Sequence, residues 1–245
     1  MLTFENDIGS HLAQIGKKTL SVVDTDVEDG FKHYRVKGKD EIQQIPDKSK
    51  ERNILYITAP SGSGKTYYTS QYTKEYHRMY PKREVYLFSS LVEDNTLDKL
   101  KFMKRIKIKT PAFLETEFSI EDFRDCLCIF DDVDCIMDKT IKKKVFSILN
   151  LILQTGRHTK TDVIYTSHLA TQGVETKIIL AEAHSITIFP KNAGGRTMKY
   201  LLDQYLGLDK EQIKKLKTLH GRWVTICQSY PKVILSQYEA YLLNS

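Results

Sequence analysis

Residues 54–66 read Ile-Leu-Tyr-Ile-Thr-Ala-Pro-Ser-Gly-Ser-Gly-Lys-Thr, an apolar run ending in a glycine-rich turn, and a helical stretch from Tyr67 to Tyr80 follows. Few folds are open to a chain with this passage. A short Ile/Val-rich run that gives way to a turn and then to helical residues is half of a strand–helix–strand unit. Such units pair their strands in parallel and cover both faces of the sheet. The alternation recurs downstream, with apolar runs at Val85–Phe88, Cys126–Phe130, Val163–Thr166 and Ser185–Phe189. The clearest intervening helix places Ile141, Val145, Ile148, Leu149 and Ile152 on one stripe before Gly156. The expected fold is α/β, a mostly parallel sheet flanked by helices.

The turn itself, Ala59-Pro60-Ser61-Gly62-Ser63-Gly64-Lys65-Thr66, has the form of a phosphate-binding loop (P-loop), with Ala59 where a first glycine often stands. Backbone N–H groups from Ser61 through Gly64, with the positive end of the next helix, would surround phosphates. Lys65 would reach the β- and γ-phosphates, and the Thr66 hydroxyl would ligate Mg²⁺. ATP and Mg²⁺ are therefore the expected ligands. A second metal contact is supplied by an acid that ends a neighbouring strand, and Leu127-Cys128-Ile129-Phe130-Asp131-Asp132 ends in two. Asp131 would hold the metal shell, and Asp132 would orient and polarise the attacking water. The bland reading of the pair is a cap on the next helix.

Gly156-Arg157-His158 follows the helix after those acids. Arg157 would serve either as a finger that reaches a neighbouring subunit's γ-phosphate or as a cap on the helix C-terminus. Thr166-Ser167-His168 ends the next strand, where His168 would sense the γ-phosphate or merely bond a loop. Thr159-Lys160-Thr161-Asp162 matches a guanine-reading motif but precedes a strand where that motif follows one, which disfavours a GTPase.

Residues 1–50 carry no chemical motif. Leu20–Val23 and Phe31–Val36, with Asp29-Gly30 between them, suggest a hairpin, and the polar run Pro46–Asn53 suggests a connector. The expected division is thus an appendage over 1–50 and a P-loop domain over 51–245. Near the C-terminus, Tyr205–Leu219 reads as helix and Trp223–Ile226 and Val233–Leu235 as strands. The formal charge is +6, unevenly spread: residues 51–110 carry 12 basic and 6 acidic side chains, and residues 111–150 carry 5 and 9. Lys99, Lys101, Lys104, Arg105, Lys107 and Lys109, and also Lys214, Lys215 and Lys217, suit contacts to nucleic-acid phosphates, although solvated faces are common for such runs. Cys126, Cys128, Cys135 and Cys227 show no metal-site spacing and read as buried reduced thiols. No apolar run approaches the roughly 20 residues of a membrane span, and Met1–Asn6 lacks a secretory pattern, so a soluble, unexported chain is expected.

Taken together, Ala59–Thr66, Ile129-Phe-Asp-Asp132, Gly156-Arg-His158, Thr166-Ser-His168 and Arg222-Trp-Val224 resemble the DNA-packaging ATPases of nucleocytoplasmic large DNA viruses. These form the poxvirus-type branch of the FtsK/HerA superfamily of P-loop motors. The resemblance spans about residues 52–235. It implies a RecA-like core assembled as a homo-oligomeric ring and ATP-driven translocation of double-stranded DNA without sequence preference. It further implies delivery of a viral genome into a capsid, a capsid or portal-like membrane or protein partner, and a location in the virion or at an assembly site in the host cytoplasm. Related motors often carry Gln where His168 stands. The closest rival is a P-loop ATPase that powers protein assembly or secretion.

Overall fold

The computed structural model describes residues 1–5, 8–191 and 195–243. In chain order its strands begin with β1 (Leu2–Thr3), β2 (Ser10–Ile15), β3 (Lys18–Val22), β4 (His33–Arg35), β5 (Ile42–Gln44), β6 (Ile54–Thr58) and β7 (Glu84–Ser89). They continue with β8 (Met103–Arg105), β9 (Cys126–Asp131), β10 (Asp162–Ser167), β11 (Ser185–Ile188), β12 (Val224–Cys227), β13 (Val233–Ser236) and β14 (Glu239–Leu242). The α-helices are α1 (Lys65–Met79), α2 (Pro111–Glu115), α3 (Lys139–Thr155), α4 (Val174–Glu182), α5 (Arg196–Tyr200) and α6 (Lys210–Thr218). They belong to two compact units, one formed by Glu51–Ala183 and the other by Met1–Lys50 together with His184–Ser245. Everything from His184 onward groups with the first fifty residues, whereas the sequence reading places 51–245 in one domain.

In the unit 51–183 the strand order is β6-β10-β9-β7-β8, with every neighbouring pair parallel. β6, β9 and β10 are buried along their whole length, as continuous apolar runs in a sheet covered on both faces must be. Four of the five expected runs are β6, β7, β9 and β10. β8 was not legible, because three residues with two cations make a short, charged edge strand instead of an apolar run. On α1, Tyr68, Thr69, Tyr72, Thr73 and Tyr76 are buried. On α3, Val145, Ile148, Leu149, Ile152 and Leu153 form the buried stripe. Asp138 caps α3 by accepting from Thr140 N and Ile141 N.

The expected connector Pro46–Asn53 is not a solvated linker. Asp47 is buried and accepts from His11 N and Ser49 N. Arg52 is buried in the other unit, where it donates to Ile152 O at 2.9 Å and Leu153 O at 2.8 Å.

In the second unit the fifth apolar run, β11, pairs antiparallel with β12, and β12-β13-β14-β4 continue antiparallel. The expected hairpin between Leu20–Val23 and Phe31–Val36 is absent. β3 instead pairs with β2 across a Gly16-Lys17 turn, and β4 pairs with β14. Gly16 takes φ 57°, as a two-residue hairpin turn requires. Leu2, Leu12, Leu20 and Ile42 share one core with Val233, Leu235 and Ala240, so the two ends of the chain bury a common apolar surface. The expected helix Tyr205–Leu219 shortens to α6. A π-helical turn occupies Leu201–Tyr205, and the chain re-enters helix only after Asp209 accepts from Gln212 N. Cys126, Cys128 and Cys227 are buried free thiols, whereas Cys135 is exposed on the turn after β9, against the expectation of burial.

Candidate active site

β6, β9 and β10 end at one edge of the parallel sheet. Ser167 lies opposite Thr58 and Tyr165 opposite Phe130, so the residues that follow each strand emerge side by side. Ala59 N donates to Ser167 O at 3.2 Å, which ties the start of the glycine-rich loop to the end of β10. Gly62 and Gly64 take φ of 75° and 108°, left-handed values that glycine adopts without steric cost. Gly64 is the N-cap of α1. It offers no side-chain cap, and the first turn holds no acid. The helix therefore begins with N–H groups that no side chain satisfies, which is an anion site in waiting. Ser63 Oγ, buried in the loop, has no hydrogen-bond partner among the described residues.

Lys65 is buried, and its ammonium is aimed by three groups. Nζ donates to Ala59 O at 2.9 Å and to His168 Nδ1 at 3.2 Å, and it lies 3.6 Å from Asp132 Oδ1. An ammonium has no lone pair, so Nδ1 must accept and the imidazole proton sits on Nε2. Nε2 in turn lies 3.0 Å from Asp132 Oδ2. Asp132 takes φ 47°, uncommon for a residue with a side chain, and its N–H donates to Thr166 Oγ1 at 2.9 Å. The Thr166 hydroxyl faces Asp131 Oδ1 at 3.0 Å and Asp132 Oδ1 at 3.1 Å. One hydroxyl on β10 thus sets both acids that end β9. Asp131 is buried, also accepts from Ser89 Oγ at 3.4 Å, and has its pKa pushed up to about 6, by burial first and then by the charge of Asp132. Asp132 makes no side-chain cap, and Asp138 caps α3, so the capping reading of the acid pair is not what the fold uses.

The residues fit a nucleoside triphosphate and a hard cation. The uncapped N-terminus of α1, the orphaned Ser63 hydroxyl and the buried ammonium of Lys65 are donors for phosphate oxygens. Thr66, in the first turn of α1, and Asp131 are oxygen ligands of the kind that Mg²⁺ takes, alongside phosphate and water. Among the described residues no three acidic, His or Cys side chains converge as a self-sufficient metal site.

Arg157 is not at this site. It is exposed in the turn after α3, with Nε paired to Glu51 just ahead of β6. That is the edge where β6 and β10 begin, and the phosphate loop leaves from the edge where they end. Strands of five to six residues span about 17–20 Å, beyond the reach of one side chain. Neither is Arg157 the helix cap. Two carbonyls in the last turn of α3, Ile152 O and Leu153 O, are held by Arg52, which also pairs with Glu182 at 3.2 Å. Gly156 is needed there, because a Cβ would stand 2.5 Å from Ile152 O. Asp162, from the guanine-like motif, is likewise at the far edge. It is buried against Asn53 N, Tyr76 Oη and Arg83, which makes it structural.

No family model matches the sequence. Protein V3 of Sputnik virophage, described as uncharacterized, is 39% identical over 194 residues, which are 78% of this chain and 78% of V3. The chain belongs to the V3 family. Among solved structures, this V3-family chain is similar to the cytoplasmic domain of the Thermomonospora curvata type VII secretion ATPase EccC. The TM-score is 0.52 at 10% identity, covering 84% of this chain and 28% of that one. The genome-packaging NTPase B204 of Sulfolobus turreted icosahedral virus 2, in complex with ATP-γS, gives a TM-score of 0.49 at 14% identity, covering 79% and 99%. The fold of this V3-family member is thus that of a P-loop ATPase.

Proposed function

We propose that this protein is an Mg²⁺-dependent ATPase that moves double-stranded DNA, and that its task is to package a viral genome into a capsid. The observation that carries the catalytic half is the convergence of Lys65, Asp131, Asp132 and His168 at the ends of β6, β9 and β10, beside the uncapped start of α1. Lys65, already aimed by Ala59 O, would draw charge from the terminal phosphates. Asp132, held by Thr166 and His168, would align and polarise a water for attack. Thr66 and Asp131 would hold Mg²⁺, which when bound neutralises the charge that develops on the phosphates. Arg157 would act on a neighbour's nucleotide, with its exposed pair to Glu51 exchanged for phosphate on assembly.

The DNA half rests on the family resemblance of the sequence and on charge. Arg105 is committed to Asp98 and Leu91 O, and Lys104 to Glu84. Lys99, Lys101, Lys107 and Lys109 are exposed, with no ion-pair partner among the described residues. The deciding experiment measures phosphate release with and without duplex DNA across a salt series. Stimulation that fades steeply as salt rises is expected, because phosphate contacts release counterions. Hydrolysis indifferent to DNA would sink the translocation reading in favour of a protein-assembly ATPase. Mixing Arg157→Ala with Lys65→Ala protein should restore part of the turnover that each lacks, and co-assembled subunits that remain inactive would remove Arg157 from the site.

A further inference from the structure

We infer that Tyr67 is the platform on which the base of the bound nucleotide stacks. The inference rests on the phosphate-loop reading and concerns the end of the ligand that this loop does not hold. Lys65 marks the γ-phosphate end, because its Nζ lies among Ala59 O, His168 and Asp132. Successive residues of a helix are about 100° apart, so Tyr67, two positions on, stands about 200° round α1 from Lys65, on the opposite flank. A triphosphate laid across the uncapped N-terminus from the Lys65 flank brings its nucleoside to the Tyr67 flank, since a helix with side chains is about 10–12 Å across.

Tyr67 has the properties that a stacking surface needs. It is 63% exposed, whereas Tyr68, Tyr72 and Tyr76 of the same helix are buried. The other large apolar side chains exposed in residues 51–183 are Leu91, Val92, Leu114, Met137 and Leu169, so Tyr67 is the exposed aromatic of this unit among the described residues. Its ring is held rather than loose. Gln71 Nε2 donates to the Tyr67 hydroxyl at 2.6 Å, and Lys74 Nζ donates to Gln71 Oε1 at 3.3 Å. An aromatic side chain fixed by its rim and open on its face loses little freedom when a base settles on it.

The test compares dissociation constants for ATP and for inorganic tripolyphosphate, which lacks the nucleoside, in the wild type, Tyr67→Ala and Tyr67→Phe. Loss of base–aromatic stacking should weaken ATP on the order of tenfold in Tyr67→Ala. Tripolyphosphate affinity should be unchanged in both variants, and Tyr67→Phe should bind ATP much as the wild type does. Equal ATP affinity in the wild type and Tyr67→Ala would overturn the inference alone. So would a matching loss for tripolyphosphate, which would mean a distorted loop. Wild-type protein that binds neither ligand would overturn the phosphate-loop reading, and this inference with it.

Discussion

Replacing Arg52 by Ala should unsettle the unit 51–183 more than any change at the neighbouring Arg157. Arg52, 7% exposed, donates to two carbonyls in the last turn of α3, Ile152 O at 2.9 Å and Leu153 O at 2.8 Å, and pairs with Glu182 at 3.2 Å. Truncation leaves Leu153 O without its donor, at about 1–3 kcal/mol when it cannot reach water, whereas Ile152 O keeps the N–H of Gly156 at 2.8 Å. Glu182, with a side chain 43% exposed, rehydrates and adds little. Burial holds the Arg52 pKa below its ordinary value, so removing the charge returns part of the loss. The balance is a destabilisation of about 2 kcal/mol, or roughly 7 °C in the midpoint of a unit this size. Urea denaturation followed by far-UV circular dichroism measures it. Trp223, in the other unit and the single tryptophan of the chain, serves as an internal control by its fluorescence. Arg157→Ala should leave the midpoint unmoved, because its pair with Glu51 is fully exposed to solvent. A midpoint for Arg52→Ala within error of the wild type, or a comparable loss for Arg157→Ala, would refute the assignment of the cap to Arg52.

Lys65→Ala should abolish tight ATP binding, whereas Asp132→Asn should retain ATP and fail to hydrolyse it, as read by a fluorescent nucleotide and by phosphate release; full turnover in Asp132→Asn would strike that residue from the mechanism. Asp162 should make the fold less stable as pH rises. Burial lifts its pKa from 3.8 to about 6, so the folded chain favours the protonated acid, and stability is full below about pH 4 and falls by about 3 kcal/mol through pH 6. Asp162→Asn should flatten that part of the denaturation profile, and an unchanged slope would contradict it.

The parallel sheet was legible because its strands are buried on both faces and therefore spell continuous apolar runs, and the loop was legible because Gly62, Gly64 and Lys65 answer to one chemistry. What escaped depended on distant partners. Ser10–Ile15 reads as polar on its own and becomes a strand only against Lys18–Val22 and Ile42–Gln44. Residues 184–245 read as the continuation of one domain, since sequence order does not reveal that Val233 and Leu235 share a core with Leu2 and Leu20. Arg52 sat in a polar run that looked like a linker, and its carbonyl partners lie about a hundred residues away. Thr166, the hydroxyl that sets both acids, could have been suspected from a polar residue at the end of a strand beside the acid-bearing one.

The departure at position 168, where the resemblance leads one to expect glutamine, finds a physical account in the contacts of the ring. The position needs one acceptor turned toward Lys65 and one donor turned toward Asp132. A glutamine amide supplies them as a carbonyl oxygen and an NH₂ group. An imidazole with its proton on Nε2 supplies the same pair from opposite sides of a rigid ring, at 3.2 and 3.0 Å. The shared requirement is for a group that couples the lysine of the loop to the acid that follows β9. Neither a carboxylate, which has no donor for Asp132, nor a second ammonium, which has no acceptor for Lys65, can meet it. The rigid ring makes the coupling stiffer than an amide would, because displacement of Nδ1 by a phosphate that engages Lys65 moves Nε2 as well. If the loop takes phosphate as proposed, its arrival at Lys65 would be carried to Asp132 through a side chain that touches both.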